Sequence, residues 1–275
     1  MAGYRVIVEL DDPGQPILAP VGIDTPLSRA AGLRVSGGEV EDWTEATTGQ
    51  RLARITPQGG PLTISQMFDG TPAVYPEAIF VPVPSRYTRA AEGLLAEVAG
   101  LGSTAREIAC AVAGRFDYGH PDQRFYDGHD EALPALGCDR ATGSCVDINL
   151  YFMAALRAAG ITTGYVAGAF FPAEKGDWCS DMHCWVITRT ADGLQEWDIA
   201  HHLKMGRRDI GPGLNPKPGF RAALSYGIAL RTPDGGEIKL LTQPVSAAAP
   251  HARVPVLSIR LDHPDIPPGP VRPGA

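Results

Sequence analysis

The chain has 275 residues, with 24 Lys and Arg against 31 Asp and Glu, for a formal net charge of −7. That length suits one large domain or two smaller ones with a full core, and a 44% hydrophobic, 20% charged composition excludes a disordered or fibrous chain. No basic excess is available to neutralise phosphates, so nucleic acid is not expected as a partner.

Residues 1–85 read as a β-rich domain. Short apolar or alternating runs at 4–10, 51–56, 62–68 and 78–83 predict strands, separated by Pro, Gly and Asp clusters. Val81-Pro-Val-Pro84 marks its end, because proline cannot donate to a strand ladder. Helices are then expected at 89–99 and 104–116. The second opens with Thr104-Ala-Arg-Glu107, which has the form of a capping box, and lines up Ile108, Ala111, Val112 and Phe116 on one face. Residues 117–144 are punctuated by Gly and Pro and read as irregular. The stretch 145–159 predicts a helix that is apolar nearly all round, and such a helix belongs in the middle of a core. Gly160 stands where a left-handed residue would end it, with Arg157 near its negative end. Strands are expected at 163–171, 183–190, 195–199, 220–230 and 238–241. A core domain therefore runs over 86–262. The remaining 263–275 is expected to be a disordered tail, since five prolines fall in its last twelve residues.

Three places carry chemistry. Gly143-Ser144-Cys145 puts a thiol at the first turn of the buried helix. Asp181-Met182-His183-Cys184-Trp185-Val186 puts an imidazole at the start of a strand. Glu196-Trp197-Asp198-Ile199 puts a carboxylate in the next strand, and a hairpin at Asp192-Gly193 would set it beside His183. The reactive form of cysteine is the thiolate, and a free thiol has a pKa of about 8.5. A helix N-terminus and a neighbouring imidazolium both stabilise that anion. A carboxylate holds the imidazole in one tautomer, and the open amides at the helix start can receive the oxyanion of an attacked carbonyl.

The run Gly143-Ser-Cys145-Val-Asp-Ile-Asn-Leu-Tyr-Phe-Met-Ala-Ala-Leu-Arg-Ala-Ala-Gly-Ile161 is followed by Tyr165-Val-Ala-Gly168, His183-Cys-Trp-Val186 and Trp197-Asp198. Together these closely resemble the transglutaminase-like superfamily of cysteine enzymes over about residues 100–205, and the 213–220 stretch resembles its bacterial members. The resemblance implies an α+β fold: a papain-like core, with the Cys helix packed on an antiparallel sheet, beside the N-terminal β-rich domain. It also implies a triad with Cys145 as nucleophile, His183 as general base and acid, and Asp198 as orienter. Cys184 departs from the small residue common at that position. Strand alternation predicts that it faces away from the thiol if His183 faces it.

Five cysteines, Cys110, Cys138, Cys145, Cys179 and Cys184, are odd in number and show no paired spacing. Together with an N-terminus that lacks a secretion signal, this points to reduced thiols and a cytoplasmic location. No run reaches the roughly 18 apolar residues of a membrane span, so no membrane partner is expected. Cys179, His183, Cys184 and the His201-His202 pair offer soft metal ligands, but their spacing is not that of structural zinc sites. No metal and no cofactor are expected. His201 and His202 should end the Asp198 strand beside the site. Tyr118 is either a second oxyanion donor or a packed aromatic. The 172–182 loop with Trp178 either borders the cleft or is plain solvated loop, and Lys204, Arg207 and Arg208 read as surface charge.

The expected activity is hydrolysis of an amide bond in a peptide, protein or small molecule through a thioester. A transglutaminase or amide synthase with an amine acceptor, and a non-catalytic binding module on the same fold, are the alternatives. The oligomeric state, the substrate and the job of the N-terminal β-rich domain are not legible.

Overall fold

A computed structural model describes residues 2–122, 125, 131–137, 139–179, 182–213, 216–232 and 234–265. Cys138 and most of the 263–275 tail, with the disorder expected of it, lie outside these residues. The fold is α+β. The N-terminal part supplies β1 (Tyr4–Leu10), β2 (Ile17–Pro20), β3 (Ala30–Ser36), β4 (Gly38–Thr44), β5 (Arg51–Pro57) and β6 (Leu62–Phe68). The helices follow as α1 (Glu92–Leu101) and α2 (Ala105–Arg115), and then the short parallel pair β7 (Phe116–Tyr118) and β8 (Ala141–Gly143). The remaining elements are α3 (Cys145–Ala158), β9 (Thr162–Pro172), β10 (Met182–Thr190), β11 (Gly193–Trp197), α4 (Ile199–Lys204) and β12 (Gly219–Tyr226), with four short strands after them: β13 (Leu230–Arg231), β14 (Glu237–Ile238), β15 (Val245–Ser246) and β16 (Ser258–Asp262).

The site rests on one antiparallel sheet in the order β11-β10-β9-β12. Alternation along its strands sends Tyr165, Ala167, Cys184 and Val186 into a core shared with α1, α2 and α3. Val166, Trp185 and Ile187 go to the opposite face, against Ile79 and Phe80. The helix α3 is buried along nearly its whole length, from Cys145 through Leu156, as an all-apolar helix must be. Gly160 leaves it with φ 76°, a conformation that costs a residue with a Cβ.

The N-terminal strands form two four-stranded sheets, β16-β1-β6-β3 and β15-β2-β5-β4, which enclose Val6, Val8, Ile17, Ile55 and Ile64. The same core takes in Ala169, Phe171, Ala222 and Leu224 from β9 and β12, so the two parts share apolar contacts. Strands β15 and β16, from the C-terminal end of the chain, pair with β2 and β1.

Several elements differ from the sequence expectation. Residues Glu77–Phe80 form a 3₁₀ turn in place of a strand, tucked so that Ile79 and Phe80 are buried under β9 and β10. Strands β2, β3 and β4 give no alternating signal: β2 is buried at every position and β4 is largely exposed. The expected strand at 220–230 ends at Tyr226, and that at 238–241 is only two residues long, Glu237–Ile238. Arg208, read as surface charge, donates to the carbonyls of Ala113 and Phe116 and to Asp117. It thereby satisfies the C-terminal end of α2.

Candidate active site

Cys145 is the first residue of α3. Ser144 is the N-cap, its hydroxyl accepting from the Asp147 amide, while the Asp147 carboxylate accepts from the Ser144 amide at 2.7 Å. This reciprocal capping box aims the start of the helix. As first-turn residues, Cys145 and Val146 have amides with no partner within the helix, and both residues line an open cleft of about 270 Å³. Gly143 is required by packing. A Cβ there would lie 2.9 Å from the Phe116 ring and 3.0 Å from the Asp147 side chain, displacing the residue that caps the helix.

His183, Asp198 and Cys145 come together. His183 Nε2 and Asp198 Oδ2 are 2.9 Å apart, which leaves Nδ1 of the imidazole for Cys145, with which His183 lines the same cleft. Trp197 sets the carboxylate's position: its indole donates to Thr188 Oγ1 at 2.9 Å and packs edge-on to Phe152 of α3. The expected strand at 195–199 stops at Trp197. Asp198 is instead the N-cap of α4, accepting from the His201 amide at 3.0 Å. His201 and His202 therefore lie on a helix and not at a strand end. Turning the chain there lets one carboxylate cap a helix and meet an imidazole.

Cys184 does not face away from Cys145. Alternation holds, since Cys184 joins the α3 side of the sheet and Trp185 the other. But β11 pairs with β10 only from Val186 to Thr190. At the open edge beyond Val186, His183 and Cys184 are both close enough to act on the Cys145 thiol, and each lowers its pKa. Asn149, one turn along α3, donates to the Cys184 carbonyl at 2.9 Å and lies 3.4 Å from its sulfur, tying the helix to this strand.

Two further residues complete the site. Arg221 of β12 is buried and donates to Asp198 Oδ2, with its guanidinium 5.3 Å from the centre of the Trp185 ring. The His201 ring stacks flat on His183, centroids 3.9 Å apart. An arginine inside an otherwise apolar strand was the only signal for the first. Nothing in the spacing marks the stack.

The electrostatics follow from these contacts. The Cys184 thiol donates to the Cys145 sulfur and holds its pKa well below the ordinary thiol value against the effect of burial, helped by the hydrogen bond and charge of His183 and by the charge of Lys204. Burial, with the neighbouring Cys145 sulfur, pushes Cys184 well up, so it remains a thiol. Burial opposes the charged form of His183, but the Asp198 carboxylate and the Cys145 sulfur outweigh it and the pKa is raised. Burial likewise opposes ionised Asp198, yet His183 and Arg221 hold it well below the usual carboxylate range. Burial lowers His201, which stays neutral. These shifts favour the charged forms of Cys145, His183 and Asp198 beside the Arg221 guanidinium, and opposite charges set together limit the cost of burying them.

Tyr118 lines the cleft, with its hydroxyl 3.1 Å from His120 Nε2. Lys204 also lines it, over the Tyr118 ring, and so is not plain surface charge. The 172–182 loop borders the cleft through Pro172 and Lys175. Among the described residues, His183, Asp198 and His201 bring three possible metal-ligand atoms within 4.8 Å of one another. The Arg221 guanidinium already occupies the Asp198 oxygen that a cation would need. Cys179 lies in the separate β-sheet core. No described helix is long and apolar enough to cross a membrane.

Residues 88–197 match the model of the transglutaminase-like superfamily. A candidate cysteine protease from Cytophaga hutchinsonii has a TM-score of 0.50 at 12% identity, covering 94% of this chain and 96% of that one, a likeness of fold. The periplasmic domain of TgpA from Pseudomonas aeruginosa, bound to ethylmercury, gives a TM-score of 0.38 at 17% identity over 76% of this chain and 92% of its own. No curated protein matches the chain.

Proposed function

We propose that this chain, whose residues 88–197 match the transglutaminase-like superfamily, is a cysteine-dependent enzyme that hydrolyses amide bonds through a thioester on Cys145. The observation that carries this reading is that Cys145, at the first turn of a capped helix, lines one cleft with His183, whose Nε2 lies 2.9 Å from Asp198 Oδ2. In the first half-reaction the Cys145 thiolate attacks the carbonyl carbon, and the amides at the start of α3 receive the oxyanion. His183 Nδ1 gives its proton to the leaving nitrogen as the C–N bond breaks, and the amine departs. In the second half-reaction His183 takes a proton from water, the oxygen attacks the thioester, and the C–S bond breaks to release the acid and restore the thiolate. Asp198 keeps the imidazole oriented through both steps.

Water is the acceptor in this reading because it is present at about 55 M. A millimolar amine competes only if the protein positions it, as well-oriented groups with effective molarities of about 10⁵ M do. The test is labelling together with turnover. Iodoacetamide at pH 6 should modify Cys145 at least a hundredfold faster than Cys110, Cys138, Cys179 or Cys184, and Cys145→Ala should abolish amide hydrolysis. Equal labelling rates would remove the nucleophile assignment. Saturable incorporation of a primary amine at ~1 mM, at the expense of hydrolysis, would replace the hydrolase by a transferase.

A further inference from the structure

The cleft that exposes Cys145 is lined by Lys175, Lys204, Lys217 and Arg253, and by no aspartate or glutamate among the described residues. The chain as a whole is acidic, at −7, so this lining reverses the sign of its surroundings. The cations come from separate segments: the turn after β9, the last turn of α4, the approach to β12, and the stretch between β15 and β16. Two of them lie over aromatic rings. Lys204 Nζ lies 4.5 Å from the centre of the Tyr118 ring, and Lys175 Nζ lies 5.0 Å from that of Trp178. Lys217 pairs with Glu174, itself 54% exposed. Phe170 and Leu240 add apolar surface to the same cleft.

We propose that the acyl donor is an acidic peptide or amide, whose carboxylates meet the cations of this cleft. This rests on Cys145 being the nucleophile. Dispersed single cations around a nucleophile suit separate carboxylates along an extended chain, whereas a lone phosphate calls for donors converging on one point. A cleft lined by one sign of charge also concentrates ligands of the other sign and speeds their arrival, by tenfold or more at low salt.

The test uses the full chain and matched peptide amides with Glu, Gln or Lys flanking the same scissile residue. At 50 mM NaCl the Glu peptide should exceed the Lys peptide in kcat/KM by at least tenfold. The ratio should fall toward one at 1 M, where screening acts within about 3 Å. The double variant Lys175→Glu/Arg253→Glu should lose or invert the preference. A second measurement needs no turnover: labelling of Cys145, mapped by mass spectrometry, with the anionic sulfonatoethyl and the cationic aminoethyl methanethiosulfonates. The anionic reagent should react faster, and the double variant should lower that ratio at least fivefold while His183 stays constant. Loss of all hydrolysis with the labelling ratio intact would reject the hydrolase and keep the anion-selective cleft. A labelling ratio untouched by the charge reversal, or a Lys peptide cleaved as fast as its Glu counterpart, would overturn the proposal.

Discussion

Replacing Asp198 by Asn removes one charge and little else. Asparagine is as good an N-cap as aspartate, so the bond from the His201 amide at 3.0 Å can persist. What goes is the counter-charge to Arg221 and His183, whose side chains are 6% and 3% exposed. Arg221 Nε and Nη1 already have no hydrogen-bond partner, so its buried guanidinium would lose the carboxylate it donates to and keep only the charge of nearby Glu196. Two unit charges about 4 Å apart at an effective dielectric of about 20 interact by ~4 kcal/mol, and breaking one side of a buried ion pair costs about 3–5 kcal/mol. Asp198→Asn should therefore lower the stability by about that much, a large share of the 5–15 kcal/mol typical of a folded protein. Adding Arg221→Met removes the stranded charge and packs an apolar chain against Phe170 and Trp185, so the double variant should recover most of the loss. Urea unfolding of the four proteins of the cycle measures this. Reactivity should not recover. Without the carboxylate, His183 loses the partner that keeps it charged, and the Cys145 thiol rises toward its ordinary value. At pH 6 a thiol of ordinary pKa, about 8.5, is less than ~1% ionised, so iodoacetamide labelling should drop, by up to about a hundredfold, in both the single and the double variant. An Asp198→Asn protein as stable as the parent, or a double variant labelled at the parental rate, would refute the reasoning.

Because Asp198 is held well below the usual carboxylate range, its contribution to stability is complete above pH ~4 and disappears as pH falls through its depressed value. Acid unfolding should therefore be less steep in the Asp198→Asn/Arg221→Met protein, and an identical pH profile would count against the buried charge balance. Cys184→Ala removes the thiol that donates to Cys145 and should move the acid limb of Cys145 alkylation upward. Cys184→Ser should largely retain the limb, and superimposable profiles for all three proteins would show that the contact has no electrostatic effect. Ser144→Ala breaks the capping box and should cost about 1 kcal/mol in urea unfolding, unlike a change at an exposed serine. Chelator treatment should leave the Tm and Cys145 reactivity unchanged, whereas release of stoichiometric zinc with unfolding would turn His183, Asp198 and His201 into a metal site.

Much of the site is written in short stretches of sequence. The capping boxes at Thr104 and Ser144, the burial of α3, the turn at Gly160 and the strand that begins near His183 all depend on residues within four or five positions of one another. Propensity, capping and periodicity act over that range, which is why Cys145 could be placed at a helix start from the sequence alone. The strands 30–36 and 38–44 were silent because an exposed strand carries no apolar alternation to read.

Other features needed the assembled sheet. Arg221 is 23 residues from Asp198 in sequence and meets it only because β12 pairs with β9 and β9 with β10. The Cys145–Cys184 contact exists because β11 stops pairing at Val186 and leaves an open edge beside the helix start. His201 stacks on His183 because the chain turns into α4 at Asp198 and does not continue as a strand. Local sequence decides how a residue's own backbone folds and which side of an element it occupies. Which charges share a dry space, and so which groups ionise, depends on strand register and on where pairing ends, and these are settled only when distant segments pack.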